Sequence, residues 1–172
     1  LNNEDLNYQD VLDLRRQLDL SKYSNIRTKG SEIEIPIPRY ELFLNTKYRY
    51  PFVRSRPFAS ILTDYGCPWK CKFCVMTEIG FKHRSVQNIL EELDYIHKLG
   101  IRDIYFVDQT FGYNKKRLTD LCNAIVEKNY SFKWVAFTRA DLINEETLGL
   151  MKSAGCHMLM FGIETPVQRV LD

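Results

Sequence analysis

At 172 residues, with 45% hydrophobic and 13% aromatic side chains, the chain has material for one ordinary domain with a packed core, and its composition excludes a disordered chain. A formal charge of +2 is too small to argue for nucleic acid, and the longest apolar stretch, residues 158–163, falls far short of the ~20 residues that span a bilayer. Five cysteines, an odd number, without a secretory apolar segment point to a reducing compartment, so a soluble cytoplasmic α/β protein is expected.

Residues 1–57 differ in character from the rest and read as an extension or connector. Residues 4–20 suit an amphipathic helix whose sparse apolar positions are Leu6, Val11, Leu14 and Leu18. In residues 33–38 the prolines Pro36 and Pro38 argue against a central strand. Basic and tyrosine side chains then interleave as Arg39, Tyr40, Lys47, Tyr48, Arg49, Tyr50, Arg54 and Arg56. Such interleaving can bind single-stranded nucleic acid. The reading preferred here is a connector that packs its tyrosines on the domain and leaves its charges in water, with no nucleic acid and no membrane as partner.

From residue 58 the pattern alternates. Residues 58–65 read as a buried strand running through Gly66 into a cysteine loop. Ser85 is a natural N-cap for a helix with Val86, Ile89, Leu90, Leu93 and Ile96 on one face, closed by Gly100. Residues 103–107 form a second strand, ending at Asp108-Gln109-Thr110. A second helix shows Leu118, Leu121, Cys122 and Ile125 on one face. The third strand, residues 132–137, ends at Thr138-Arg139-Ala140-Asp141. Asn144 caps a third helix through Leu148 and Met151, stopped by Gly155, and the fourth strand, residues 156–163, ends at Glu164-Thr165. Strands separated by helical crossovers imply a parallel sheet, whose functional groups gather beyond the carboxyl ends of the strands. The cysteine loop, Asp108, Arg139 and Glu164 would then converge on one edge.

The cysteine loop carries the chemistry. Cys67, Cys71 and Cys74 follow the spacing C-x3-C-x2-C. Three thiolates are one too few for a closed four-cysteine zinc or iron–sulfur site, but they suit a cubane cluster that keeps one iron open for an exogenous ligand. A zinc site completed by His83 or Cys122 is the competing reading, although zinc motifs usually present two C-x2-C pairs. His83, between Lys82 and Arg84, reads as solvated, and His157 as a core histidine. Cys122 and Cys156 read as buried thiols, and Trp69 as a shield between the loop and water.

The motif, with the aromatic Phe73 directly before its last cysteine, resembles the radical S-adenosylmethionine (SAM) superfamily. The similarity extends through residues 54–61, Phe106-Val107-Asp108-Gln109-Thr110-Phe111 and Phe161-Gly162-Ile163-Glu164-Thr165, which look like the radical-SAM half of cobalamin-binding methyltransferases and of the anaerobic magnesium-protoporphyrin monomethyl ester cyclase. Residues 35–38 resemble the proline-bearing connector that follows the cobalamin domain in those proteins. The resemblance implies a partial (βα) barrel of parallel strands, with residues 58–172 forming its first four βα units and the chain truncated after the fourth strand. It implies a 4Fe-4S cluster on Cys67, Cys71 and Cys74, and SAM bound with Phe73 near the adenine and Glu164 at the ribose hydroxyls. Asp108 and Gln109 would lie near the SAM amino group, where the family often has paired aspartates. Arg139 is a candidate for the SAM carboxylate, its alternative being an ion pair with Asp141 or Asp108. Cobalamin would enter through a domain outside these residues, electrons through flavodoxin or ferredoxin, and the substrate would be a small molecule. A methylthiolating relative would carry a second cysteine set ahead of the motif, and residues 1–66 hold no cysteine. The reading is thus a radical SAM enzyme domain, with a non-catalytic cluster-binding or electron-transfer module as the alternative.

Overall fold

The computed structural model describes residues 27–44, 48–78 and 80–171. The helix expected over residues 4–20, and Lys47 of the basic–aromatic run, lie outside them.

The main sheet holds four strands, β3 (Phe58–Ile61), β6 (Asp103–Phe106), β7 (Lys133–Thr138) and β8 (Cys156–Phe161), in that order. All three pairings are parallel, with Phe58 opposite Asp103, Asp103 opposite Lys133, and Val135 opposite Met158. The crossovers carry α1 (Val86–Lys98), α2 (Lys115–Glu127) and α3 (Glu145–Ser153), while a short α4 (Gln168–Leu171) follows β8. The four strand-and-helix alternations expected from the sequence are present.

Period-two alternation divides the sheet between two environments. Ala59, Ile61, Ile104, Phe106, Trp134 and Ala136 join one buried cluster with Ile89, Leu93 and Ile96 of α1, Leu118, Leu121 and Ile125 of α2, and Met151 of α3. Each fully buried aliphatic or aromatic side chain contributes roughly 1.5–3 kcal/mol. Trp134 is fully enclosed, edge-on to Phe106 at 5.3 Å, and its Nε1 donates to Ala154 O at 2.8 Å. Tyr105 and Phe137, at the alternate strand positions, face the other way. The connector packs there too, with Tyr50 5.2 Å and Phe52 5.1 Å from the Tyr105 ring. Arg49, Arg54 and Arg56 remain exposed.

The helix ends follow their capping residues. Ser85 Oγ accepts from Asn88 N at 3.1 Å. Asn144 and Thr147 form a reciprocal capping box. Gly155 has φ +98°, and a Cβ there would sit 2.0 Å from Phe132 O, so this sharp turn into β8 requires glycine.

Three expectations are corrected. The first strand does not run unbroken over residues 58–65. It splits into β3 and a separate β4 (Asp64–Gly66), which belongs to a second sheet. The cause lies at Leu62 and Thr63, whose backbone groups turn from the main sheet to side chains and to the backbone N–H of Arg84, 2.9 Å from Thr63 O. Thr63 N donates to Asp108 Oδ1 at 2.6 Å, Arg117 Nη2 to Thr63 O at 2.7 Å, and Arg84 Nη1 to Leu62 O at 2.9 Å.

The second correction concerns Lys82-His83-Arg84, which lie in β5 (Phe81–Arg84), antiparallel to β4. Arg84 is fully buried: Nε donates to Asn88 Oδ1 at 2.8 Å, and Nη1 meets Glu92 Oε2 at 2.5 Å. Tyr40 Oη donates to the other Glu92 oxygen at 2.5 Å. His83 is half-buried, and burial together with the Arg117 charge holds its pKa below the usual histidine value.

The third is β2 (Glu32–Glu34), which sits between β1 (Arg27–Lys29) and β5 inside the second sheet, whose order is β1-β2-β5-β4. The strand stops before Pro36. The Asn88 amide then takes over as an imitation strand, accepting from Ile35 N at 3.2 Å and donating to Ile35 O at 3.1 Å.

Candidate cofactor site

Because the main sheet is parallel, the segments after β6, β7 and β8 leave from one edge, and the cysteine loop, which joins β4 to β5, reaches that edge. Gly66 permits its approach. Its φ is +74°, and a Cβ would fall 1.8 Å from Gly80 O, so the two sides of the loop could not close around any other residue.

A cavity of about 530 Å³ opens at this edge. Cys67, Cys71 and Cys74 line it together with Gln109, Arg139 and Glu164. Tyr105, Phe137 and Phe161 supply an aromatic wall, and Phe73 stands at its rim, 74% exposed. Every site residue expected from the sequence therefore borders one space. Another cavity, of about 330 Å³ among Tyr40, Tyr48, Tyr50, Arg49 and Arg56, is lined by no cysteine or carboxylate among the described residues.

The three thiols are half-buried. Cys74 N donates to Cys71 O at 3.0 Å, closing a turn, and Cys67 Sγ lies 3.5 Å from Thr110 Oγ1. Among the described residues no three Cys, His, Asp or Glu side chains stand close enough to share a single ion. A cubane binds its thiolates at separate irons, so its cysteines stand farther apart than the ligands of one ion. The donor set, three thiols on one loop around a shared cavity, fits such a cluster. It does not fit the zinc alternative. Cys122 faces the helix-side core, where burial pushes its thiol up to about 12, and His83 points along β5 with its ring stacked on Phe81 at 6.3 Å. Burial likewise raises the Cys156 thiol to about 11.

Asp108 has a different surrounding from the one its motif suggested. It is 1% exposed, and its carboxylate accepts from Thr63 N, Thr63 Oγ1 and Asp64 N at 2.6, 2.6 and 3.0 Å. Both oxygens are thus committed to the root of the cysteine loop, and the exposed neighbour Gln109 is the side chain left to meet a ligand. Sequence reasoning missed Asp64 and Arg117 behind this anchor. Arg117 Nη1 lies 2.6 Å from Asp64 Oδ1 as an ion pair, although its N–H is not aligned for a hydrogen bond. Burial, with Asp108 adding to it, raises the Asp64 pKa despite that guanidinium, and burial raises Asp108 as well. The one available signal was an Asp three residues before the first cysteine, which a single sequence does not distinguish from a turn residue.

Arg139 pairs with Asp141, Nε at 2.9 Å and Nη2 at 2.7 Å, and its guanidinium lies over the Trp69 ring at 4.3 Å. Glu164 adopts φ +58°, a left-handed conformation uncommon for a residue with a side chain. A Cβ on Gly162 would approach Glu164 Oε1 to 3.0 Å, so the glycine keeps the carboxylate's place clear. His157, in β8, is half-buried with Nε2 unpaired, and burial lowers its pKa. No helix among the described residues is long and apolar enough to cross a membrane.

A four-stranded parallel sheet with a C-x3-C-x2-C loop and a polar strand-end cavity defines a recognisable class, and comparison with known proteins agrees. Residues 61–172 match the model of the Radical SAM superfamily, and the chain belongs to it. A protein named as an uncharacterized methyltransferase from Pyrococcus horikoshii is 39% identical over 81% of this chain and 30% of its own length. The hopanoid C-2 methylase of Rhodopseudomonas palustris is 34% identical over 76% of this chain and 25% of its own. The chain therefore spans between a quarter and a third of these relatives. In fold, it resembles the radical SAM methyltransferase TsrM from Kitasatospora setae, solved with cobalamin and a 4Fe-4S cluster bound. The TM-score is 0.62 and the identity 22%, over 66% of this chain and 24% of that one.

Proposed function

We propose that residues 58–172 are the radical SAM core of an enzyme, which binds a 4Fe-4S cluster through Cys67, Cys71 and Cys74, seats SAM in the strand-end cavity and cleaves it reductively to begin radical chemistry. Residues 1–57 serve as the connector. The observation that carries this reading is the convergence of all three motif cysteines with Gln109, Arg139 and Glu164 on one cavity. The cluster, when bound, supplies a strongly reducing electron and one open iron for the amino and carboxylate groups of SAM.

The chain's own residues then divide the cofactor between them. Glu164, held clear by Gly162, accepts from the ribose hydroxyls, and Phe73 at the rim covers the adenine. The Gln109 amide oxygen accepts from the amino group, while Asp108 fixes the loop root behind it. Arg139 offers a positive charge on the carboxylate side. The parent protein transfers a methyl group with cobalamin held in another domain, or carries out an oxidative cyclisation, on a small-molecule substrate. It works in the cytoplasm, and flavodoxin or ferredoxin delivers the electron. A non-catalytic electron carrier would need the cysteines but not the ribose-side carboxylate.

The test is anaerobic incubation of the cluster-loaded chain with SAM and a strong reductant. Expected are SAM binding and slow, substrate-independent release of 5′-deoxyadenosine. Loss of the Glu164 hydrogen bonds in Glu164→Ala should weaken SAM binding about tenfold or more. A loaded chain that does not bind SAM would return the assignment to the electron carrier.

A further inference from the structure

The indole of Trp69 reaches from the middle of the cysteine loop towards the end of β7. Its Nε1 is shielded from water and has no hydrogen-bond partner. A buried indole N–H normally finds an acceptor, so contacts with the face of the ring must keep it in place. The group over its face is the Arg139 guanidinium, 4.3 Å from the ring centre. That guanidinium is itself held edge-on by Asp141, through Nε at 2.9 Å and Nη2 at 2.7 Å. Asp141 sits in the 3-10 turn Ala140–Leu142 that directly follows β7. The base of the stack is therefore the parallel sheet, where Thr138 Oγ1 donates to Phe111 O at 2.8 Å. A forked pair fixes the plane of a guanidinium in a way that an ammonium cannot reproduce.

We propose that Asp141, Arg139 and Trp69 form a brace that sets the height of the cysteine loop over the cavity. Arg139 and Asp141 are its positioning residues and act on the thiols through Trp69. The inference rests on the reading of this loop as the cluster-holding loop, and it deepens that reading. Arg139 need not wait for a ligand to be ordered, because its edge and its face are both engaged by the chain. Asp141, exposed and outside the cavity, gains a role that its position alone would not suggest. With the Cys67–Thr110 contact, the loop is tied at two points, one at its first cysteine and one between its first and second.

The experiment uses the iron-free chain, prepared anaerobically, so that it reads the loop and not the cofactor. Trp134 is fully enclosed and Trp69 is half-buried. Acrylamide quenching corrected against Trp69→Phe therefore isolates Trp69, while the protected Trp134 emission verifies folding. Cys122 is buried, so alkylation of Cys71 and Cys74, read by mass spectrometry, reports the loop thiols. Arg139→Gln and Asp141→Asn should each raise Trp69 quenching and the alkylation rate about two- to five-fold, the range expected for a cation–π contact near the surface. Arg139→Lys, which keeps the charge but loses the fork, should fall between wild type and Arg139→Gln. In a Trp69→Ala background Arg139→Gln should add little to the alkylation rate, because the path through the ring is gone. Unchanged quenching and alkylation in folded Arg139→Gln would overturn the brace, as would full additivity with Trp69→Ala. Failure of the wild-type chain to load iron would count against the proposed function and would leave this outcome readable.

Discussion

Glu92 illustrates how a single charge can hold this molecule together. Its two oxygens take Arg84 and Tyr40, and the pair is sealed from water at 0% and 2% side-chain exposure. Replacing both charges by apolar groups can be neutral, but removing one strands the other. Glu92→Ala should therefore cost about 3–5 kcal/mol, measured as a lowered urea midpoint at unchanged slope. A loss below about 1 kcal/mol would mean that water reaches Arg84. Asp64 behaves in the opposite sense. Burial raises its folded pKa above the ordinary value of 3.8, so between that value and the raised one the folded state binds more protons than the unfolded state. Stability must then fall as pH rises through this window. Denaturation from about pH 5 to about pH 8 should show that decline in wild type and a shallower one in Asp64→Asn. Identical slopes would show that Arg117 outweighs burial at this carboxylate.

Among the elements, the β4–β5 hairpin decides where the thiols stand. Gly66→Ala would force a Cβ onto Gly80 O at 1.8 Å and also strain a φ of +74°. The cost should be roughly 1–3 kcal/mol or more. The readout is a fall in iron loading with the main-sheet core, followed by Trp134 emission, still folded. Loading at the wild-type level would disconnect the hairpin from the site. The main sheet and its helices were legible in the sequence because each signal is local: Ser85 and Asn144 as caps, Gly100 and Gly155 as stops, and apolar positions at helical or strand spacing. The hairpin was not. β5 is Phe-Lys-His-Arg, with no alternation of apolar and polar residues, and its pairing depends on partners far along the chain. The break at Leu62 and Thr63 likewise depends on Asp108 and Arg117, 45 and 54 residues from Thr63. No propensity near residue 62 announces a kink imposed by side chains that distant.

At the scale of the whole molecule, a parallel sheet brings residues far apart in sequence to one edge. The strand-end residues could be picked from the sequence for this reason, and their contacts could not. Asp108 read as a ligand group, and the structure buries its carboxylate at the cavity's edge with bonds to Thr63 and Asp64. Arg139 read as either a ligand group or an ion-pair partner of Asp141, and the structure gives it that partner and the Trp69 ring besides. Motif position specifies which residues reach the edge, while burial and neighbouring charges decide what each can do there. On the proposed function, the cavity is built around a cluster on three cysteines. Its most direct test is anaerobic reconstitution with iron and sulfide, with metal content and absorbance measured for wild type and for the variant with Cys67, Cys71 and Cys74 all changed to alanine. One four-iron cluster per wild-type chain is expected, with its visible absorbance lost in the variant. Zinc bound at one per chain with no iron taken up, or a cluster that survives the triple replacement, would contradict it.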